Sequence, residues 1–482
     1  MDTNVLMDRE DPRVTPHPVA DLVRVLHEHN VQIFVHPASI REARRDGNSD
    51  RSGIFQTKVR SYPVLSGLPS TPLEFAEAAG GVGSPNGEVD VALLFATSQD
   101  AAAFLITEDL GLVGRATRVG LGERVLTVRG ALEYFSRLYG TRYPRAPAYL
   151  EVVPAYALDP ADPIFRSIEQ EYEGFEAWFR KIRQEGRMCV RVSGPENQIG
   201  ALMILKPETG ELLARPTLRR LKISTLKVSE AQAGLRLGEL LLQYAFNYAL
   251  GNGFNETYVE VFSIHEPMVT FLRSYGFRTI GNSARGEKVM MKEFGVGVDP
   301  EAFSPIDYVR AFYPRFRDDT EVGKFLVPVQ PVFHSMLFPE FVLGRTQRTL
   351  DGFIGPTHAA GNAIRKAYVC NSNTRQVSPG DILLFYRSQD VRRVTHIGVV
   401  ERAEVRTKLD QVLGLVGNRT VFPLKKLSEL CARTALVILF WNAMALGADR
   451  TKAVELPPTV SSPQAISQIT DWEYKLLTGS RA

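Results

Sequence analysis

Leu221-Lys-Ile-Ser-Thr-Leu-Lys-Val228 runs into Ser229-Glu-Ala-Gln-Ala-Gly-Leu-Arg-Leu-Gly238 and then Glu239-Leu-Leu-Leu-Gln-Tyr-Ala-Phe246. Physically this reads as a strand, a glycine turn and an amphipathic helix. Glycine lets a backbone approach a ligand closely, and the free N–H groups at a helix start bind phosphate. Two glycines also fit an ordinary strand-to-helix turn, so the pattern alone leaves both readings open.

Working outward, an amphipathic helical stretch over Ile164–Glu185 is followed by strand-like runs at Met188–Val192 and Ile199–Leu205. Another strand is predicted at Thr257–Phe262. Proline-rich composition predicts connectors at 143–163 and 295–322, because proline cannot sit inside a helix or a central strand. Three domains result, at 1–142, 164–294 and 323–482. The first alternates strand signals (Val31–Val35, Phe104–Ile106) with helical spacing over Val89–Ala102, which suggests a parallel sheet with helices on its faces. The last is strand-dominated, with Asp381–Tyr386 and His396–Val400 as its clearest runs.

The 482 residues are 44% hydrophobic and 23% charged, an average globular composition. Lys+Arg 57 against Asp+Glu 54 leaves +3, too balanced for a protein that wraps nucleic acid over its whole surface. A local basic groove is still compatible with that sum. Cys189, Cys370 and Cys431 are far apart and form no CxxC, which argues against a disulfide scaffold or zinc finger and for reduced thiols. The first residues are acidic where a secretory signal needs basic and apolar ones. The longest apolar run, Ala435 to Ala448, carries Asn442 and is too short to cross ~30 Å of hydrocarbon as a helix. The expectation is a cytoplasmic protein with no membrane segment.

In the first domain Asp2, Glu42, Asp90 and Asp109 fall where strand ends or helix starts are predicted. Carboxylates gathered at the carboxyl ends of parallel strands repel one another unless they share a cation, and oxygen-only ligands point to Mg²⁺ or Mn²⁺. Four solvated helix caps are the alternative. Asp2-Thr-Asn-Val-Leu6, Asp90-Val-Ala-Leu-Leu94, Phe104-Leu-Ile-Thr-Glu-Asp109 and Arg124-Val-Leu-Thr127 resemble the successive signatures of a PIN domain over about residues 1–140. The resemblance implies an α/β/α sandwich and a metal-dependent ribonuclease site at Asp2, Glu42, Asp90 and Asp109, with Asn4 and Thr107 in support. In the family the first Asp ends a buried strand, whereas only Met1 precedes Asp2 here; either the chain starts late or that strand is missing.

In the middle domain, Tyr258-Val-Glu-Val-Phe262, His265 to Phe277 and Glu287-Lys-Val-Met-Met-Lys292 resemble the C-terminal half of a GNAT acetyltransferase. The resemblance covers about 160–294 and implies a mixed α+β fold that takes acetyl-CoA in a splayed strand pair. Its implied cofactor-binding residues are Leu226, Lys227, Val228, Gly234, Leu235, Arg236, Leu237, Gly238 and Glu239. The family turn reads Gln/Arg-x-x-Gly-x-Gly/Ala; here Ala233 takes the first place, Arg236 the middle glycine, and Gly238 is retained. The family's tyrosine acid is Leu272 here, which leaves His265, Glu266, Glu260 and Tyr275 as candidates for proton transfer. Arg215, Arg219, Arg220, Lys222 and Lys227 form a basic run that is either a solvated face or a contact for a phosphate-rich substrate.

In the tail, Arg365 to Ser372, Ser378-Pro-Gly-Asp381 to Ser388 and Thr395 to Glu401 resemble a PUA-like barrel of the ASCH/EVE kind over about 323–480. The resemblance implies RNA binding, with Arg365, Lys366, Asn371, Ser372 and Arg387 as polar candidates beside Arg219 and Arg220. Together the three resemblances imply an α/β multidomain N-acetyltransferase acting on RNA or an RNA-linked amine such as aminoacyl-tRNA. That arrangement would suit a toxin with an antitoxin or other protein partner, or a translation-modifying enzyme. The alternatives are an Mg²⁺-dependent ribonuclease regulated by an acyl-CoA-binding domain, and a non-catalytic RNA-binding scaffold.

Overall fold

A computed structural model describes residues 1–10, 17–43, 62–140, 150–171, 174–194, 198–213, 215–229, 232–341, 359–446 and 453–479. It is a mixed α/β chain with three sheets. In the first domain the helices are α1 (Thr3–Glu10), α2 (His17–Glu28), α3 (Pro37–Ala43), α4 (Leu73–Ala78), α5 (Pro85–Ser98), α6 (Leu110–Arg118) and α7 (Val128–Tyr139). Its only sheet among the described residues is a parallel pair, β1 (Leu105–Ile106) and β2 (Val125–Leu126). The sandwich sheet expected here is thus reduced to two short strands, and Val31–Val35 contributes one isolated bridge from Val35 to Val64. Asp2 docks on the edge of that pair through its N–H to the Ile106 carbonyl, 2.9 Å.

The middle domain is a seven-stranded sheet in the order β3-β4-β5-β6-β7-β9-β8. The strands are β3 (Leu150–Pro154), β4 (Met188–Ser193), β5 (Ile199–Leu212), β6 (Arg215–Val228), β7 (Glu256–Val261), β8 (Arg278–Asn282) and β9 (Lys288–Glu293). Helices α8 (Arg166–Glu171), α9 (Phe175–Gln184), α10 (Leu237–Gly251) and α11 (Glu266–Ser274) complete it. Every ladder is antiparallel except β6 with β7. The predicted connector 143–163 is corrected here, because its middle is β3, paired with β4 from Leu150↔Val192 to Pro154↔Met188. Its proline is tolerated because β3 is an edge strand whose far side needs no ladder donor.

The second predicted connector is also built structure. Ser304 caps α12 (Pro305–Phe312) by accepting the Asp307 N–H, and Pro305 stands at the first helical position, where a missing donor costs nothing. The third domain carries β10 (Lys324–Val329), β11 (Arg365–Cys370), β12 (Ile382–Arg387), β13 (Arg393–Arg406), β14 (Ala435–Ala445) and β15 (Ser467–Gln468) in the order β11-β14-β13-β12-β10-β15. Among the described residues the edge strands β11 and β15 do not pair, so the expected barrel is an open six-stranded sheet. Around it lie α13 (Pro331–Leu337), α14 (Ala359–Asn362), α15 (Leu409–Val416), α16 (Leu424–Cys431) and α17 (Asp471–Thr478). No described helix is long and apolar enough to cross a membrane, and the apolar run at 435–448 is mostly the buried β14.

The apolar cores do not respect the domain boundaries. One runs from Leu240 and Phe246 of the middle domain to Leu326, Ile382 and Trp441 of the third. Another joins Leu132 and Phe135 of α7 to Val327, Leu383 and Phe440. Shared cores bury apolar area that separate domains would leave wet, and so resist separation.

Lys292 shows how the α12 segment is anchored. It is fully buried, donates to the Ala311 carbonyl at the end of α12 (2.9 Å), and lies 5.6 Å over the Phe246 ring. Burial lowers its ammonium to about 7. The folded protein therefore binds fewer protons than the unfolded chain between pH 7 and the ordinary lysine value, so this group adds stability as pH rises through that window. Denaturant titration at pH 7 and 9.5 should show this gain, and Lys292→Met should reduce it by roughly 1–3 kcal/mol.

Candidate functional site

The parallel ladder between β6 and β7 covers only Arg220↔Glu256 to Ile223↔Val259. Beyond Ile223 the two strands part, and among the described residues Ser224–Val228 keep β5 as their one ladder neighbour. A strand edge without a ladder offers its N–H and C=O groups to an extended ligand. Leu226, Lys227 and Val228 all lie on that edge. The turn that follows starts α10, whose Leu237, Leu240, Leu241 and Phe246 are buried in the sheet's core. This burial fixes the helix start relative to the splay.

Backbone conformation explains the turn's composition. Gly234 has φ +83 and Arg236 φ +57, both in the left-handed region that favours glycine. An arginine there carries backbone strain of about 1–2 kcal/mol, and its side chain supplies the compensation. The Arg236 guanidinium bonds Glu123 of the first domain, Glu239 of its own helix (2.6 Å) and Asn418 of the third domain (Nε, 3.1 Å). Arg419 joins the far side of Glu123 at 2.9 Å and reaches Glu401 at 3.1 Å, and Glu401 in turn holds Arg365. Glu239–Arg236–Glu123–Arg419–Glu401–Arg365 is therefore one chain of alternating charge through three domains. Burial alone would raise the Glu123 carboxyl, but Arg236, Arg419 and Arg365 outweigh it and hold it at about 2.

The same turn is touched elsewhere. Thr127 Oγ1 donates to the Ala233 carbonyl (3.0 Å), Asn362 Nδ2 to the Leu235 carbonyl (2.8 Å), and the Ile364 N–H to Glu239 Oε2 (2.8 Å). A Cβ on Gly238 would stand 3.2 Å from the Phe271 ring, so glycine allows the close contact between α10 and α11.

The proton-transfer candidates are not brought together. His265 is the N-cap residue of α11 and Tyr275 its C-cap residue, so ten residues of helix, about 15 Å, separate them. Tyr275 is buried, its ring edge on Trp441 and its hydroxyl bonded to Glu239; burial first, then Glu239, hold its phenol well above the ordinary value. It serves the domain junction. Glu260, one residue from the end of β7, takes Lys222 Nζ at 2.7 Å, and Glu266 pairs with Arg118 of the first domain at 3.0 Å. Glu260 lies near the end of β7, and His265 and Glu266 follow at the start of α11.

The RNA candidates are mostly interior. Arg220 is buried against Glu256 and the Gly210 carbonyl. Lys366 is fully buried, donating to the Gly361 (2.7 Å) and Ala360 (3.3 Å) carbonyls of α14, and burial lowers its ammonium to about 8. Arg387 is spent on Asp390 (2.7 Å) and Ser335 (2.8 Å), and Arg365 on Glu401 with its guanidinium over Trp441. Asn371 bonds the Leu430 and Thr434 carbonyls, and buried Ser372 accepts from the Thr374 N–H. Arg219 stays exposed, stacked over Phe254 at 4.7 Å and bonded to the Asn252 carbonyl. Six of these seven side chains serve packing because strand residues at domain junctions point inward as often as out.

The acidic quartet is one electrostatic group. Burial first, then Asp109, Asp2 and Glu42, raise the Asp90 carboxyl to about 7 against Arg115, whose Nε lies 3.5 Å away. Each of its members already has at least one carboxylate oxygen engaged. Asp2 accepts from Thr107 Oγ1 and the Thr3 N–H (2.6 Å each), Glu42 accepts from Thr3 Oγ1, and Asp109 caps α6 through the Gly111 and Leu112 N–H groups. Among the described residues no three such side chains converge as metal ligands. As placed, the residues do not fit the Mg²⁺ or Mn²⁺ expected of them.

No known protein family matches the chain, and neither does any curated protein. Parts of it are similar to solved structures. An ASCH protein from Zymomonas mobilis, as a serine-to-alanine mutant, is similar at 8% identity over 32% of this chain and 94% of its own, with a TM-score of 0.24. A mutant AtaT toxin bound to the C-terminus of the antitoxin AtaR and acetyl-CoA shares 16% identity over 31% of this chain and 94% of its own, TM-score 0.24. The NatC complex bound to Gag peptide and CoA shares 14% identity over 30% of this chain and 95% of its own, TM-score 0.23. The reading of the site rests on its own geometry.

Carbon-13 NMR of labelled aspartate should place the Asp90 midpoint near 7. Asp109→Asn should lower that midpoint by roughly one unit, since a neighbouring like charge is removed. Asp90→Asn should stabilise the fold at pH 8 by roughly 1 kcal/mol, because a carboxyl raised in the folded state loses stability as pH rises through its titration.

Proposed function

We propose that the chain is an acetyl-CoA-dependent N-acetyltransferase whose acceptor is an amine carried by RNA, such as the α-amine of an aminoacyl-tRNA. What carries the reading is the parting of β6 from β7 after Ile223, beside a left-handed turn and the start of α10. The stretch of β6 beyond its ladder with β7, at Leu226, Lys227 and Val228, fits an extended pantetheine arm, and the amides from Leu235 to Glu239 fit a diphosphate at a helix start. Acetyl-CoA, when bound, supplies the acyl group as an activated thioester.

The chain's own residues supply position and proton transfer. An acceptor ammonium must lose a proton before its nitrogen can attack, and imidazole is the side chain suited to that step near neutral pH. His265, at the start of α11, is assigned to it. Glu260, held by Lys222, orients the ammonium before that proton leaves. Exposed Arg219 is the RNA candidate that stays at the surface to meet a phosphate backbone. The RNA acceptor is supported by the resemblance of the third domain to RNA-binding modules, and the chain's balanced charge restricts any such contact to a local patch.

Incubation with radiolabelled acetyl-CoA and total aminoacylated tRNA should move label into RNA that alkaline deacylation releases. Label found only in protein would refute the RNA acceptor, and no transfer at all would refute the acetyltransferase. His265→Ala should lower transfer about 10²-fold.

A further inference from the structure

The first domain touches the middle domain on both sides of the open end of the splay. On the β6 side, Thr127 and Gly130, in the first turn of α7, lie against the glycine turn. A Cβ on Gly130 would stand 3.2 Å from the Gly234 carbonyl oxygen, and one on Gly234 would stand 2.1 Å from Thr127 Oγ1. On the β7 side, α6 meets the start of α11. A Cβ on Gly114 would stand 3.5 Å from Pro267 Cα, and Arg118 pairs with Glu266 at 3.0 Å. Glu123, between these two helices, holds the Arg236 side chain and is itself packed against Gly417 of the third domain.

These contacts occupy the ground a diphosphate needs. The turn's one cation, Arg236, is already neutralised by Glu123 and Glu239, and none of the six charges in the chain through Arg365 is more than a quarter exposed. Three arginines face three glutamates there. Entry of a further dianion would leave it uncompensated beside the Glu123 carboxylate unless the first domain withdrew.

We infer that the first domain is an inhibitory gate over the middle domain's cofactor turn, so that its docking and acyl-CoA binding exclude one another. The inference rests on the acetyl-CoA reading above. The apparent affinity of the full chain is then the intrinsic affinity reduced by the fraction of molecules in which Glu123 and the start of α7 are drawn back from the turn, a local shift that leaves the core shared by α7 and the third domain in place. Glu123 acts as a built-in anionic competitor for Arg236. The gate's contacts lie on the glycine turn and on the start of α11, so its withdrawal frees the diphosphate site.

Two variants of the full chain test it. Glu123→Gln removes the competing charge. Gly130→Leu keeps every charge and wedges α7 off the turn. Hydrogen–deuterium exchange should find the amides from Leu235 to Glu239 protected in the wild type and exchanging at least about tenfold faster in either variant, and calorimetry should find acetyl-CoA bound at least about tenfold tighter. Saturating acetyl-CoA should also speed exchange at the start of α7 in the wild type, a measurement that needs no variant. Equal affinity in all three proteins, or no change in α7 on binding, would overturn the gate and leave the acetyl-CoA reading standing. Failure of all three to bind acetyl-CoA while the turn is exposed would overturn the reading itself, and the gate with it.

Discussion

Six charged side chains in alternating order, from Glu239 through Arg236, Glu123, Arg419 and Glu401 to Arg365, hold the three domains in one arrangement. Each inner member has two opposite charges as neighbours, so the loss of hydration on burial is met from both sides. Such a chain adds little net stability over an apolar junction of equal volume. Removing one partner, however, costs about 3–5 kcal/mol, because the remaining charges are left buried and unpaired. It therefore specifies geometry more than it stabilises. The apolar cores that cross the domain boundaries provide the cohesion, and the charges choose which of many hydrophobic contacts is made.

The close approaches at the junction follow from this constraint. Gly417 sits where a side chain would strike Glu123, and Gly130 and Gly234 meet backbone to backbone. Arg236 adopts a left-handed conformation that costs it strain, which three polar partners offset. Tyr275, bonded to Glu239 and edge-on to Trp441, extends the network into the apolar core. Residues that a transferase would be expected to keep for its ligand are thus committed to domain contact. A turn this occupied belongs to a regulated or closed state, which is why the gate and the proposed activity have to be read together.

Local patterns were legible where one element settled its own structure. The strands at Met188–Val192, Ile199–Leu205 and Thr257–Phe262 and the helix from Leu237 appear as expected, because apolar periodicity and a buried face act within a few residues. Proline misled at Pro154 and Pro305, where an edge strand and a first helical turn accept it without losing a hydrogen bond. The barrel and the sandwich sheet were not legible, since sheet order depends on partners far apart in the chain. The same holds for the candidate side chains. Lys366 and Arg387 look like surface cations in sequence, yet they cap carbonyls and pair with Asp390 inside the third domain.

By itself the sequence determined the glycine turn between β6 and α10, the elements around it and the presence of acidic and basic residues in each segment. Those properties arise from backbone sterics and from periodic burial, both of which act over short stretches of chain. Tertiary structure alone decided that Glu123, Arg236 and Arg419 meet and that the turn lies beneath the first domain. Coulomb interactions and desolvation depend on distance in space, and these partners are separated by roughly a hundred residues or more of chain, a relation that no local pattern records.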